Sequence, residues 1–252
     1  MDFDDFFDDG ANDKSFEMFE MLGMNNETSF LQLDNFFDMN YIHSELEHEQ
    51  SLISKKETTN IYSVEANYIN SYKFHEKFEK LPISKDLQEM LYKETGRLLE
   101  FVDNLKDDQI GTERMTAINS RTCEFIVDNF NRNGSKHGTF FNAEETQKIN
   151  DCSDMITVIH NHSENGPPSG QDLLTYLHDD KIKLSIIACH NGDVYAICNV
   201  NKSFEEKYLI LLGKEKDKTT EIELAKRRAT TKCYDINDSL SERHKLFNVM
   251  KL

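Results

Sequence analysis

The segment His160–Asp172 combines side chains that can bind a metal ion. It begins His-Asn-His and ends Gly-Pro-Pro-Ser-Gly-Gln-Asp, and it follows an apolar, β-branched run that ends at His160. Side chains of a strand alternate between its two faces, so His160 and His162 point to the same side. Zinc takes about four ligands at roughly 2.0–2.2 Å, and a catalytic zinc site keeps one position for water. The two imidazoles could therefore form half of such a site.

A carboxylate follows at a suitable place. Ser169 is a good N-cap, and Asp172 would then lie in the first turn of a helix, close to where a third ligand is needed. Pro167 and Pro168 stiffen the intervening loop. Each feature alone has an ordinary explanation: a chance pair of histidines, a capping serine, a carboxylate favoured by the helix dipole, a rigid turn. Their coincidence within 13 residues predicts a metal site.

The rest of the chain predicts an α/β fold that would position this segment. Apolar residues at intervals of three and four predict a long helix over 84–106, and a capping box at Asn142 and Glu145 starts a short helix that ends near 150. Asn191-Gly192-Asp193 predicts a tight hairpin turn. The patterns predict strands over 112–119, 122–130, 155–160, 184–189 and 194–200, and C-terminal helices near 219–232 and 240–249.

Composition limits the function classes. The net charge of −17 argues against nucleic-acid binding, and no apolar run approaches the length of a membrane-spanning helix. Residues 1–60 carry 15 acidic and three basic side chains and eight of the 17 phenylalanines, so we expect an acidic, Phe-rich, disordered leader. The five cysteines are odd in number and widely spaced, which is typical of reduced thiols in a cytoplasmic protein.

The histidine pair with its downstream Ser-x-x-Asp resembles the JAMM (MPN+, JAB) zinc metalloproteases, especially the bacterial RadC-type and prophage branch. Two details differ: six residues, not seven, separate His162 from Ser169, and Ser163 stands where proline is common. The resemblance implies a mixed sheet flanked by helices, of the JAB or cytidine-deaminase-like type, over 66–205. Residues 206–252 would then be a C-terminal helical extension. It also implies Zn²⁺ held by His160, His162 and Asp172.

The resemblance further implies a catalytic glutamate upstream of the histidines, with Ser169 stabilising the oxyanion. The glutamate should lie at the start of the first strand after the long helix. Glu113 matches that place best, and Glu124 on the next strand is the alternative. The expected reaction is hydrolysis of an amide or isopeptide bond in a protein or peptide substrate, with a ubiquitin-like modifier as one candidate.

Two other functions stay open at this point. The chain could be an assembly or binding protein of a prophage or mobile element that keeps the fold and the metal but hydrolyses little. It could also be a toxin or effector whose acidic leader binds a protein partner.

Overall fold

The computed structural model describes residues 66–105, 111–135, 138–162 and 165–252, and the predicted leader at 1–60 lies outside them. They form a mixed α/β fold with one six-stranded sheet of order β2-β1-β3-β4-β5-β6. The strands are β1 (Met115–Asn119), β2 (Phe125–Asp128), β3 (Ile156–His162), β4 (Ile182–Cys189), β5 (Val194–Val200) and β6 (Phe247–Lys251). The α-helices are α1 (Ala66–Ile69), α2 (Tyr72–Glu79), α3 (Lys85–Asp103), α4 (Ala143–Asp151), α5 (Gly170–His178), α6 (Ser203–Lys216) and α7 (Ile222–Ser239).

The predicted long helix is confirmed as α3. The Ser84 side chain caps it by accepting a hydrogen bond from the Leu87 N–H, and Asp86 lies in its first turn. Its buried face packs in one cluster with Ile118 of β1 and Ile159 of β3. None of the helices described is long and apolar enough to cross a membrane.

The strand pairing places the predicted metal-binding motif near the middle of the sheet. β3 runs antiparallel to β1 and parallel to β4, so its backbone is hydrogen-bonded on both sides. The predicted hairpins are also confirmed: β1 pairs with β2, and β4 pairs with β5 through a turn in which Gly192 adopts a φ of 86°. Such a positive φ is readily available only to glycine.

Alternation along β3 gives its two faces different neighbours. Ile159 packs in the cluster that contains α3, whereas Val158 packs in a second cluster with Ile149 of α4. His160 and His162 share the face of Val158, and Asn161 shares the face of Ile159.

The helix predicted over 240–249 is wrong. That stretch contains a short 3₁₀ helix, Glu242–His244, followed by β6, which pairs with β5 at the edge of the sheet. The Asn237 side chain is the local cause, because its Oδ1 accepts hydrogen bonds from the Leu246 and Phe247 N–H groups and directs the chain back to the sheet. Phe247 is then buried in a cluster with α6 and α7. The predicted helical extension 206–252 therefore contributes a strand and part of the core.

Candidate metal centre

The three predicted ligands, His160, His162 and Asp172, lie close together. His160 Nε2 lies 3.2 Å from His162 Nε2 and 3.2 Å from Asp172 Oδ1, and His162 Nε2 lies 3.1 Å from Asp172 Oδ2. For ligand bonds of roughly 2.0–2.1 Å, neighbouring ligands of a tetrahedral ion are about 3.3 Å apart. The separations are close to this value, with one carboxylate oxygen of Asp172 beside each imidazole, so the three side chains lie close enough to share one ion. Within the described ranges, this is the group of three or more histidine, cysteine or acidic side chains close enough to share an ion.

The sheet positions the histidines. Both lie at the C-terminal end of β3, where His160 pairs with Met115 of β1 and His162 pairs with Cys189 of β4. His160 is buried and His162 is nearly so, with side-chain exposures of 9% and 12%. Their separation is thus set by strand geometry and by two ladders of backbone hydrogen bonds, not by a flexible loop.

A helix N-terminus positions the carboxylate. Ser169 is the N-cap of α5, and its Oγ accepts a hydrogen bond from the Asp172 N–H at 3.2 Å. Asp172 Oδ2 in turn accepts from both the Ser169 N–H and the Ser169 hydroxyl, each at 2.7 Å. This reciprocal capping box fixes the rotamer of Asp172 so that its two oxygens face the two histidines. Ser169 therefore orients the third ligand, while its oxyanion role stays a prediction.

The electrostatic field at this point favours a cation. Burial by itself lowers the pKa of His162. The charges of Asp172 and Glu113 and hydrogen bonds to Asp172 and the Gly166 backbone have a larger, opposite effect, and they raise this pKa to about 9. Burial by itself raises the pKa of Asp172, but His162 and His160 hold it well below its usual range. Both shifts arise from the attraction between the imidazoles and the carboxylates, and these carboxylates would also attract a cation placed between the side chains.

Of the two glutamates, Glu113 lies at the end of the sheet that carries the two histidines. Continuing the β1–β3 register by two residues beyond the Met115–His160 pair places Glu113 opposite His162, on the same face. Its backbone N–H donates to the Ser135 carbonyl at 2.7 Å, which holds the segment before β1. Glu113 is half-buried and close enough to raise the pKa of His162. Its role as acid and base stays a prediction.

Glu124 lies at the other end of β1. Its backbone carbonyl accepts from Asn119, which pairs with Ile156 at the opposite end of β3 from the histidines. Its exposed side chain accepts a hydrogen bond from the Thr122 hydroxyl at 3.0 Å. The structure therefore does not bring Glu124 to the histidines.

The sequence analysis missed Asn161. This fully buried side chain accepts a hydrogen bond from the Arg114 N–H at 2.6 Å and donates to the Thr112 carbonyl at 3.2 Å. Its Nδ2 also lies 2.8 Å from Nε2 of the buried His190. Because these bonds hold the residues on both sides of Glu113, Asn161 fixes the position of Glu113 relative to the histidines. A polar residue in an apolar strand was the available signal.

Comparisons with protein-family models, curated proteins and solved structures find no match. The site's own residues provide two imidazoles and one carboxylate close enough to share an ion, with a second carboxylate, Glu113, opposite His162 across the β1–β3 ladder.

Proposed function

We propose that this chain is a zinc-dependent metallopeptidase or isopeptidase of the JAMM type, with a JAB-type fold built around residues 66–205. The convergence of His160, His162 and Asp172 at 3.1–3.2 Å is the observation that carries the proposal. The element order and the position of the histidines at the end of a central strand support it, as does Glu113 beside His162.

The donor set fits zinc. Two imidazoles and one carboxylate are three protein ligands of the kinds that zinc accepts, which leaves the fourth position for water. Carboxylate- and carbonyl-rich sites suit calcium or magnesium better, and thiolate-rich sites suit structural zinc or iron–sulfur clusters. Zinc bound here would lower the pKa of a bound water to about 7 and polarise the carbonyl of an amide.

The chain's own residues have distinct roles in this proposal. Glu113 takes a proton from the attacking water and returns it to the leaving amine, which requires a carboxylate fixed near the metal ligands. Asn161 supplies that fixation by holding the Thr112 and Arg114 backbone. For Ser169 to donate to an oxyanion, its hydroxyl must turn away from Asp172 Oδ2, while the Ser169 N–H continues to hold that oxygen.

Metal content and hydrolysis measured on the same preparation test the proposal. We expect about one zinc per full-length chain, lost in the His160→Ala/His162→Ala double variant and in Asp172→Asn. We expect cleavage of some members of a panel of peptides and ubiquitin-like fusions. Glu113→Gln should keep zinc and lose cleavage by at least about 100-fold, whereas Glu124→Gln should keep both. A wild-type chain that binds no zinc contradicts the metal assignment, and equal activity of Glu113→Gln contradicts the role of Glu113.

One observation favours a second candidate, a binding or assembly protein that keeps the metal but hydrolyses little. The hydroxyl of Ser169 donates its one proton to Asp172 Oδ2, so this proton orients the carboxylate and is not directed at a substrate. Under this alternative, zinc has a structural role and the loop between the histidines and Ser169 serves a partner. A zinc-loaded wild-type chain that is inert on the whole panel would favour it.

A further inference from the structure

The segment that carries Ser169 is held on both sides by α7. The Gly170 N–H donates to Thr230 Oγ1 at 3.0 Å, and the Tyr234 hydroxyl donates to the Pro168 carbonyl at 3.0 Å. These two hydrogen bonds join α7 to the residues immediately before and after Ser169. They come from residues 60 and 66 positions further along the chain, outside the region 66–205.

The contact is also closely packed. A Cβ added at Gly170 would lie 2.3 Å from Tyr208 Cε2 and 2.9 Å from Thr230 Oγ1, distances at which one of the atoms must move. Tyr208 of α6 is buried. Tyr208 of α6 and Thr230 of α7 therefore both pack against Gly170 at the start of α5.

These bonds complete the cap of α5. The first N–H groups of a helix have no partner within the helix. Ser169 Oγ accepts from the Asp172 N–H, and Thr230 Oγ1 accepts from the Gly170 N–H, two residues earlier. The capping box that orients Asp172 is thus anchored to a second helix.

The pKa shifts of two tyrosines also indicate that α6 and α7 lie close to Asp172. After burial, the Asp172 carboxylate is the next largest cause that raises the pKa of Tyr234, and Asp172 also raises the pKa of Tyr208. Both aromatic side chains therefore lie within the electrostatic range of the third ligand, in agreement with the hydrogen bonds.

We propose that Thr230 and Tyr234 are positioning residues for the metal centre. By fixing Pro168 and Gly170, they hold the Ser169–Asp172 capping box at the distance from the histidines at which three ligands can share one ion. This inference rests on the proposed metal site. It implies that residues 66–205 alone do not fix the position of Asp172, because Thr230 and Tyr234 lie outside that region.

Cobalt and zinc binding by the full-length chain test this inference without any need for a substrate. The variants are Thr230→Val, which removes the acceptor at nearly constant shape, and Tyr234→Phe, which removes the donor. Loss of a side chain that hydrogen-bonds a metal ligand weakens binding or activity about 10- to 100-fold, and Thr230 and Tyr234 act one bond further away, through Gly170 and Pro168. We expect about tenfold weaker binding in each variant by chelator competition, together with a changed visible spectrum of bound cobalt. Thr230→Ser, which keeps the hydroxyl, should restore both readouts.

Two control variants separate positioning from general loss of stability. Thr231→Val alters the neighbouring exposed threonine, whose hydroxyl donates within α7 to the Arg227 carbonyl. Tyr176→Phe removes a tyrosine hydroxyl that donates to the carbonyls of Lys183 and Cys198, away from the cap of α5. Both controls should bind cobalt as the wild type does.

Wild-type affinity and spectrum in Thr230→Val and Tyr234→Phe would overturn the inference while leaving the metal site intact. Equal weakening in the controls would also overturn it, because the effect would then be a general one. A wild-type chain that binds neither metal would overturn the proposed function and this inference together.

Discussion

The two halves of the candidate metal centre are held by different kinds of structure. His160 and His162 lie on a strand that is hydrogen-bonded on both sides, by β1 and by β4. Asp172 lies in the first turn of α5, where a capping box and contacts from α6 and α7 hold it. The histidine half thus depends on regular backbone pairing, and the carboxylate half depends on a few side chains distant in sequence. Substitutions should therefore damage the two halves in different ways.

Substitution of Gly170 should have the largest effect on the carboxylate half. Gly170→Ala inserts a methyl group against the buried ring of Tyr208, and overpacking of this kind costs about 1–3 kcal/mol or more. We expect urea unfolding to show this loss and cobalt binding to weaken strongly, because the start of α5 must move away from α6 and α7.

The matched control is Gly213→Ala in α6, where an added Cβ meets nothing within 4 Å. This exposed helical site should gain about 0.5–1 kcal/mol and leave cobalt binding unchanged. Equal cobalt affinity in the two variants would show that the packing at Gly170 does not set the position of Asp172.

Substitution of Asn161 should affect metal binding less than substitution of Gly170, because Asn161 holds the segment that carries Glu113 and not Asp172. Asn161→Ala leaves the Arg114 N–H and the Thr112 carbonyl without their side-chain partner, at about 1–3 kcal/mol for each buried group left unsatisfied. We expect lower stability in urea and slower hydrolysis through misplacement of Glu113, with zinc content maintained.

The zinc content of Asn161→Ala decides between two roles for this residue. If zinc is lost together with activity, Asn161 holds the histidine strand itself and not the Glu113 segment. The stability loss alone would then say nothing about Glu113.

The capping box at Ser169 can be compared with the capping box that starts α4, which is far from Asp172 in sequence. Ser169→Ala should destabilise by about 1 kcal/mol and weaken metal binding, because the same hydroxyl caps α5 and orients Asp172. Thermal unfolding and chelator competition measure the two effects separately.

The control is Asn142→Ala, which removes the N-cap of the capping box of α4. It should cost a similar amount of stability without any change in metal affinity. If metal affinity falls in both variants, capping acts through overall stability and not through Asp172.

The smallest effect on the metal centre should come from the ion pairs of Glu215, whose contribution to stability depends on pH. Glu215 of α6 accepts hydrogen bonds from Lys218 and from Lys232 of α7, which lower its pKa from 4.5 to about 2. Because the folded pKa is depressed, this carboxylate stabilises the fold above its unfolded pKa, and the contribution is lost as the pH falls towards 2. The stability difference between wild type and Glu215→Gln should therefore shrink between pH 5 and pH 2.

The exposed pair of Glu223 and Lys226 within α7 provides the comparison. Glu223→Gln should change stability little at any of these pH values, since exposed ion pairs contribute little. A constant difference for Glu215→Gln across this range would show that its ion pairs do not join α6 to α7.

The sequence predicted the features that depend on short-range pattern. Spacing of two placed both histidines on one face, and the motifs around Ser169 and Asn142 predicted two helix starts that the structure confirms. The hairpin at Gly192 followed from turn chemistry. These features are local, so nearest neighbours in the chain determine them.

The features that the sequence leaves open or predicts wrongly depend on long-range pairing. Sequence order favours Glu113 over Glu124, and the register of β1 against β3 places Glu113 at the end of the sheet that carries the histidines. The pattern predicts a helix where β6 lies, because pairing with β5 and the hydrogen bonds from Asn237 depend on tertiary structure. Thr230 and Tyr234 carry no pattern that points to a site 60 residues earlier.

The distance in sequence between α5 and α7 also affects the order in which parts of the fold form. Contacts between residues 60 or more positions apart require closure of a long loop, so they form later than turns and helices. During synthesis, the histidines and Asp172 leave the ribosome well before Thr230 and Tyr234. A nascent chain would then present its metal ligands before they are arranged to share an ion, and the centre would be completed only when α7 docks.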